Sequence, residues 1–204
     1  SGANGTFISS NALGNEIISL GSLNISTGNN SFNTTQSSTI GNGHYVSMNI
    51  QGDMDVSGGT SFLSANVLGA SISVSGNVTL SNGNLSLKGA DAGNPVTFSI
   101  LGSYSQSGGN FYLHNNPTDV LNVGASIEMT VNADDDGNGD FSHTGGLFQF
   151  DNASSTPSAM NLVLNVRSPN YTLGGNGIMT MTLPGTGNQY GILNFNHKGV
   201  TNYS

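Results

Sequence analysis

Residues 132–140 read NADDDGNGD and hold four of the chain's eleven acidic residues in nine positions. Asp134, Asp136, Asn138 and Asp140 alternate with other residues, and Gly139 stands sixth counted from Asp134. This is the opening of a calcium loop, in which carboxylate, amide and backbone oxygens surround a hard cation. The twelfth place, where such a loop supplies a bidentate Glu, is Gly145. The residues therefore predict a Ca2+ site on Asp134, Asp136, Asn138 and Asp140, and nothing else in the chain requires a cofactor. Three adjacent carboxylates repel one another unless solvent or a cation intervenes. A solvated corner loop is the alternative, because Asp, Asn and Gly also serve turns.

Other chemistry finds less support. His44, His114, His143 and His197 lie far apart, without the spacing of metal ligands. His143 matches Gln106 in a sister segment, which predicts an outward polar position. The nucleophile elbow G-x-S-x-G does not occur, and the absence of cysteine removes thiolate chemistry, Cys-ligated zinc and disulfides. A polysaccharide lyase would pair the acidic loop with Arg167 as its base, one repeat further on. With three basic residues in all (Lys88, Arg167, Lys198) and no Trp, the chain offers little for that reaction or for a sugar platform. No catalytic residue is assigned, and the chain is expected not to be an enzyme.

The elements that must position these residues follow from composition and period. Charged residues make up 7% of the 204, with a formal net charge of -8. That argues against nucleic acid, which needs clustered Lys and Arg, and against an anionic membrane surface. No apolar run approaches the roughly 20 residues of a membrane span. The opening SGANGTF has neither an initiator Met nor a signal pattern, so the chain is read as a processed or excised piece.

Apolar and small polar residues alternate in short runs, such as Ile72 and Val74, Phe98 and Ile100, and Leu162, Leu164 and Val166. Period two predicts strands, and the frequent Gly and Asn disfavour helices. GSYSQSGGNFYL at 102–113 aligns with GDFSHTGGLFQF at 139–150. Four further copies start at 21, 52, 76 and 168, so the spacings are 31, 24, 26, 37 and 29. A unit this short cannot bury its apolar positions alone and must stack on its neighbours. The prediction is an all-β, right-handed parallel β-solenoid of about six to seven rungs, a rod on the order of 30 Å long at about 4.8 Å per rung. Val74, Val78, Leu80, Leu85, Phe98, Ile100, Phe111, Leu113, Phe148 and Phe150 face inward in this scheme. Gly and Asn take the corners that need φ > 0. An antiparallel β-sandwich or jelly roll is the alternative, since it too has many short strands.

Stretches such as ISVSGNVTLSNGNLSL, SILGSYSQSGGNFYL and ILNFNHKGVTNYS resemble the Gly/Ser/Asn/Thr-rich repeat regions of secreted bacterial surface proteins, especially those of Bacteroidota, taken to be β-helix adhesins. The resemblance implies an extracellular or cell-surface location. Read end to start, LNFNHKGVTNYS and SGANGTFISSNALGN make a continuous rung. Residues 1–204 are thus expected to form a single module, one unit of a longer tandem array or filament. Its expected partners are copies of itself or adjacent repeats end to end, and surface glycans, with no nucleic acid and no membrane insertion. The expected function is a non-enzymatic structural or adhesive module. A carbohydrate-binding or polysaccharide-cleaving β-helix domain is the rival.

Overall fold

Wherever the sequence alternates apolar with small polar residues, the chain is extended: in Val96–Ile100, Val96, Phe98 and Ile100 are buried while Thr97 and Ser99 are half-buried. The computed structural model describes residues 6–9, 16–34, 45–65, 69–88, 96–114, 126–151, 161–168, 170–180, 193–197 and 200–203. Among these it is all-β, with parallel strands in two sheets and no helix. Hence no helix there is long and apolar enough to cross a membrane.

Numbered in chain order, seven strands form one sheet. In spatial order they are β2 (Glu16–Leu20), β5 (Tyr45–Ile50), β7 (Gly69–Val74), β9 (Val96–Ile100), β11 (Ser126–Val131), β13 (Asn161–Val166) and β16 (Leu193–His197). The second sheet runs β1 (Thr6–Ser9), β4 (Asn29–Thr34), β6 (Met54–Ala65), β8 (Val78–Lys88), β10 (Tyr104–His114), β12 (Phe141–Asp151), β14 (Asn170–Leu173) and β17 (Val200–Tyr203). β3 (Leu23–Ile25) lies beside β6, and β15 (Ile178–Thr180) beside β12. From β2 onward the chain visits the two sheets in turn, and each return lands beside the strand laid down on the previous visit. Every pairing among the described residues is parallel, which removes the antiparallel sandwich or jelly roll.

In-register pairing converts the period-two pattern into columns. One runs Ile18, Met48, Ile72, Phe98, Met129, Leu164. Facing it from the other sheet is Met54, Val78, Tyr104, Phe141, Tyr171. These columns meet in one continuous core, where each fully buried large side chain contributes about 1.5–3 kcal/mol. Tyr104 stacks on Phe141 at 5.3 Å between ring centroids, and Phe141 on Tyr171 at 5.2 Å. Of the residues expected to face inward, Val74, Val78, Leu80, Leu85, Phe98, Ile100, Phe111, Leu113 and Phe148 are buried. The side chain of Phe150 lies outside the described residues.

The repeat alignment holds for five of its six copies. Pairs Leu23↔Met54, Met54↔Val78, Val78↔Tyr104 and Tyr104↔Phe141 reproduce the first four spacings. The last copy is slipped: Phe141 pairs with Tyr171, so position 139 corresponds to 169 and not to 168. Close approach of the preceding strand explains the glycine that starts the copies at 52, 76, 102 and 139. A Cβ on Gly52 would lie 2.8 Å from the Gly21 carbonyl oxygen, on Gly76 2.8 Å from that of Gly52, and on Gly102 2.7 Å from that of Gly76. Gly28, Gly59, Gly83, Gly109 and Gly146 form a second column at the mid-strand bend, all with φ between 68° and 83°.

Candidate functional site

The acidic loop connects β11 to β12. It turns on Asn132 (φ 54°), Asp135 (φ 59°) and Gly137 (φ 83°), with the Asp135 N–H donating to the Asn132 carbonyl at 3.0 Å. Asn and Asp tolerate the left-handed region better than other non-glycine residues, so the composition suits this turn directly. Asp136 is engaged locally: its Oδ1 accepts the Asn138 N–H at 2.8 Å and its Oδ2 the Asn138 side-chain amide at 2.6 Å. Asp140 turns elsewhere, accepting from Asn170 Nδ2 at 2.9 Å. Asp134 is exposed. Among the described residues no three His, Cys, Asp or Glu side chains converge to hold a metal. Of the predicted ligands, the fold joins Asp136 to Asn138 and sends Asp140 to a different strand.

Asp140 belongs instead to a ladder that sequence inspection missed. Directly after Gly52, Gly76 and Gly102 stands a short polar residue whose side chain accepts the backbone N–H of its counterpart on the next strand. Asn77 N–H donates to Asp53 Oδ1 at 2.7 Å, Ser103 N–H to Asn77 Oδ1 at 2.9 Å, and Asp140 N–H to Ser103 Oγ at 3.0 Å. The signal was available as Gly-Asp, Gly-Asn, Gly-Ser and Gly-Asp at 52, 76, 102 and 139. A second polar stack joins Asn110 Nδ2 to Asn84 Oδ1 at 2.7 Å and Asn84 Nδ2 to Thr60 Oγ1 at 3.2 Å. On the outer face of the seven-stranded sheet, Glu128 Oε1 accepts from Asn165 Nδ2 at 2.6 Å and Thr130 Oγ1 at 3.2 Å.

Arg167 does come to the acidic loop, though by a backbone contact. Its Nη1 donates to the Ala133 carbonyl at 3.0 Å, while its own carbonyl accepts from Asn132 Nδ2 at 3.1 Å. This clamps the base of the loop.

His143 corrects an expectation. It pairs with Gln106 as the alignment requires, yet both side chains are buried. Gln106 is fully used, its Oε1 accepting from Tyr104 at 2.9 Å and its Nε2 donating to the carbonyls of Leu147 at 3.0 Å and Gly109 at 3.2 Å. In His143 neither ring nitrogen completes a hydrogen bond. Burial pushes its imidazole below the ordinary range, and the Ile178 backbone opposes part of that shift. His44, His114 and His197 have side chains outside the described residues.

Among the described residues, these polar side chains form hydrogen-bonded ladders between strands. No family model matches the chain. Comparisons with curated proteins and with solved structures likewise found no match.

Proposed function

We propose that the two parallel sheets are the faces of one right-handed β-solenoid, and that this rod is a non-enzymatic structural and adhesive module of an extracellular bacterial fibre or cell-surface protein. The observation that carries this reading is the alternation between sheets with parallel, in-register pairing from β2 to β17. A chain wound in this way makes seven turns, about 34 Å at about 4.8 Å per turn. Right-handed winding is the rule for crossovers between parallel strands.

The function follows from how such a rod resists load. Tension along its axis falls on backbone ladders in both sheets, on the corner ladder from Asp53 to Asp140, and on the apolar columns between them. Its outer residues are mainly Ser, Thr and Asn, so the module spans distance behind a polar surface of low charge. Copies stack end to end through the strand edges at the two ends. The extracellular bacterial setting rests on the resemblance of ISVSGNVTLSNGNLSL and its sister stretches to surface adhesin repeats.

Small-angle scattering on the purified chain tests the rod. An elongated particle whose length grows in steps of one module with concentration supports it, and a sphere of constant size contradicts it. Binding to soluble glycans, with and without a chelator, tests the adhesive part and the rival carbohydrate reading.

A further inference from the structure

Asn is followed by Gly at 4, 42, 82, 138 and 176. In this dipeptide no side chain shields the glycine's amide nitrogen, which can attack the asparagine side-chain carbonyl wherever the backbone is free to turn. The pairs at 4 and 42 lie outside the described residues. Of the remaining three, the fold restrains two. Asn82 and Gly83 sit within the continuous strand β8, where Gly83 (φ 83°) is packed on the backbone of Gly58. Asn138 is fastened to Asp136 through both its N–H and its side-chain amide, and Gly139 is buried on the Gly102 carbonyl.

Asn176 and Gly177 are placed differently. β6, β8, β10 and β12 each pass unbroken through the mid-strand bend, whereas residues 174–177 interrupt the corresponding turn between β14 and β15. Three backbone bonds hold this corner: Gly174 N–H to the His143 carbonyl at 3.2 Å, Asn176 N–H to that of Thr144 at 3.0 Å, and Gly177 N–H to that of Gly174 at 3.3 Å. The last is longer than ordinary bonds of its kind. Asn176 is exposed, and its side-chain amide has no hydrogen-bond partner among the described residues. Beneath the corner lies His143, 1% exposed, with neither ring nitrogen hydrogen-bonded. Its Nε2 is 2.9 Å from the point where a Cβ on Gly177 would stand, so the ring rests against the Gly177 backbone. Its apolar surroundings keep the imidazole neutral, which leaves one ring nitrogen with an open lone pair.

We propose that Asn176–Gly177 is a self-modification site, at which His143 takes the Gly177 amide proton and Asn176 is converted to aspartate and isoaspartate. The Gly177 nitrogen, once deprotonated, attacks Asn176 Cγ and closes a cyclic imide. The Cγ–Nδ2 bond breaks, and the proton held by His143 leaves with the amide nitrogen as ammonia. Water then opens the ring at either carbonyl, so the net change is one water consumed and one ammonia released, with no oxidation or reduction. Opening toward isoaspartate lengthens the main chain by a methylene just before β15. That strand then loses its register with β12, in which Leu147, Phe148 and Gln149 pair with Ile178, Met179 and Thr180. Met179, packed against the core, is drawn off it. The corner is thus a slow, irreversible clock that loosens one turn of the fold.

The test incubates the full chain in heavy-oxygen water at neutral pH, folded and in concentrated urea, and follows label uptake at each Asn–Gly pair by peptide mass spectrometry. Each pair serves as its own reference, since urea removes both the strand ladders and the contact with His143. Asn82 and Asn138 are expected to convert more slowly folded than unfolded. Asn176 is expected to convert faster folded than unfolded by about tenfold or more, the scale of general-base assistance. His143→Gln is expected to abolish that acceleration, and Gln is already the residue that β10 carries at the paired position. Asn176→Ser is expected to remove labelling at this corner without moving the unfolding midpoint. The wild-type comparison needs no substitution, so it decides the matter even where a variant fails to fold. Folded Asn176 converting no faster than in urea, or equally fast in folded His143→Gln, overturns the proposal.

Discussion

Asn77 donates its backbone N–H to Asp53 Oδ1 at 2.7 Å, although 24 residues separate them in the chain. The bond satisfies a corner amide that the sheet ladder does not reach, and Ser103 and Asp140 repeat it on the following strands. Asp53→Ala should cost about 0.5–1.5 kcal/mol in urea unfolding, the range for a hydrogen bond of this kind. Asp53→Asn keeps an Oδ1 acceptor and should recover most of the loss. Equal losses in both variants would show that charge, and not the bond, matters.

Gly76→Ala tests the glycine column. Its Cβ would meet Asp53 Oδ1 and stand 2.8 Å from the Gly52 carbonyl, so the strand must shift at a cost of about 1–3 kcal/mol. Gly137→Ala meets nothing within 4 Å and bears only its φ of 83°, a penalty of roughly 1 kcal/mol. Equilibrium unfolding should rank the two in that order.

Phe148 is fully buried, with ring centroids 4.7 Å from Phe111 and 6.1 Å from Tyr104. Phe148→Ala should lower stability by about 3–5 kcal/mol, while Phe148→Leu should cost less. A loss below about 1 kcal/mol would mean that this part of the core is not packed as described.

His143 predicts a pH dependence. Burial lowers its folded pKa, so the native state keeps the ring neutral at a pH where the unfolded chain already takes up a proton. Stability is full above the unfolded value of about 6.5. It falls as the pH drops below that value and levels off once the folded pKa is passed. Gln106, Phe148, Leu173 and Ile178 surround the position or flank it in register, and none is a carboxylate that could offset the charge. Comparing urea midpoints at neutral and mildly acidic pH, His143→Gln should lose its share of the acid sensitivity. An unchanged acid response in that variant contradicts the assignment.

The acidic loop is shaped by its own hydrogen bonds, with Asp136 on Asn138 and Asp140 on Asn170. Chelation should therefore leave the melting temperature within about 1 °C, a shift corresponding to only a few tenths of a kcal/mol. A larger fall that calcium restores, and that Asp134→Ala abolishes, would assign a cation to Asp134, Asp136, Asn138 and Asp140.

Much of this architecture is legible in the residues. Period two in Val96–Ile100 and its sisters gives the strands, and the glycines at 52, 76, 102 and 139 give the register, because the crowded column admits no side chain. The last copy has no glycine to fix its start, and alignment by composition lands one residue early of the observed Phe141↔Tyr171 pairing. His143 was misjudged because polarity alone predicts exposure. Its partner Gln106 is buried since Tyr104 and two backbone carbonyls satisfy it, a condition set by neighbours distant in sequence. The surroundings of the acidic loop are likewise set at a distance: Asn170, 30 residues beyond Asp140, donates to its carboxylate.

Fibre diffraction from aligned assemblies of the purified chain tests the central claim most directly. Strands that stack across a rod axis and continue from copy to copy predict a meridional reflection near about 4.8 Å together with an axial repeat of about 34 Å. Isolated particles that give neither spacing would contradict the account.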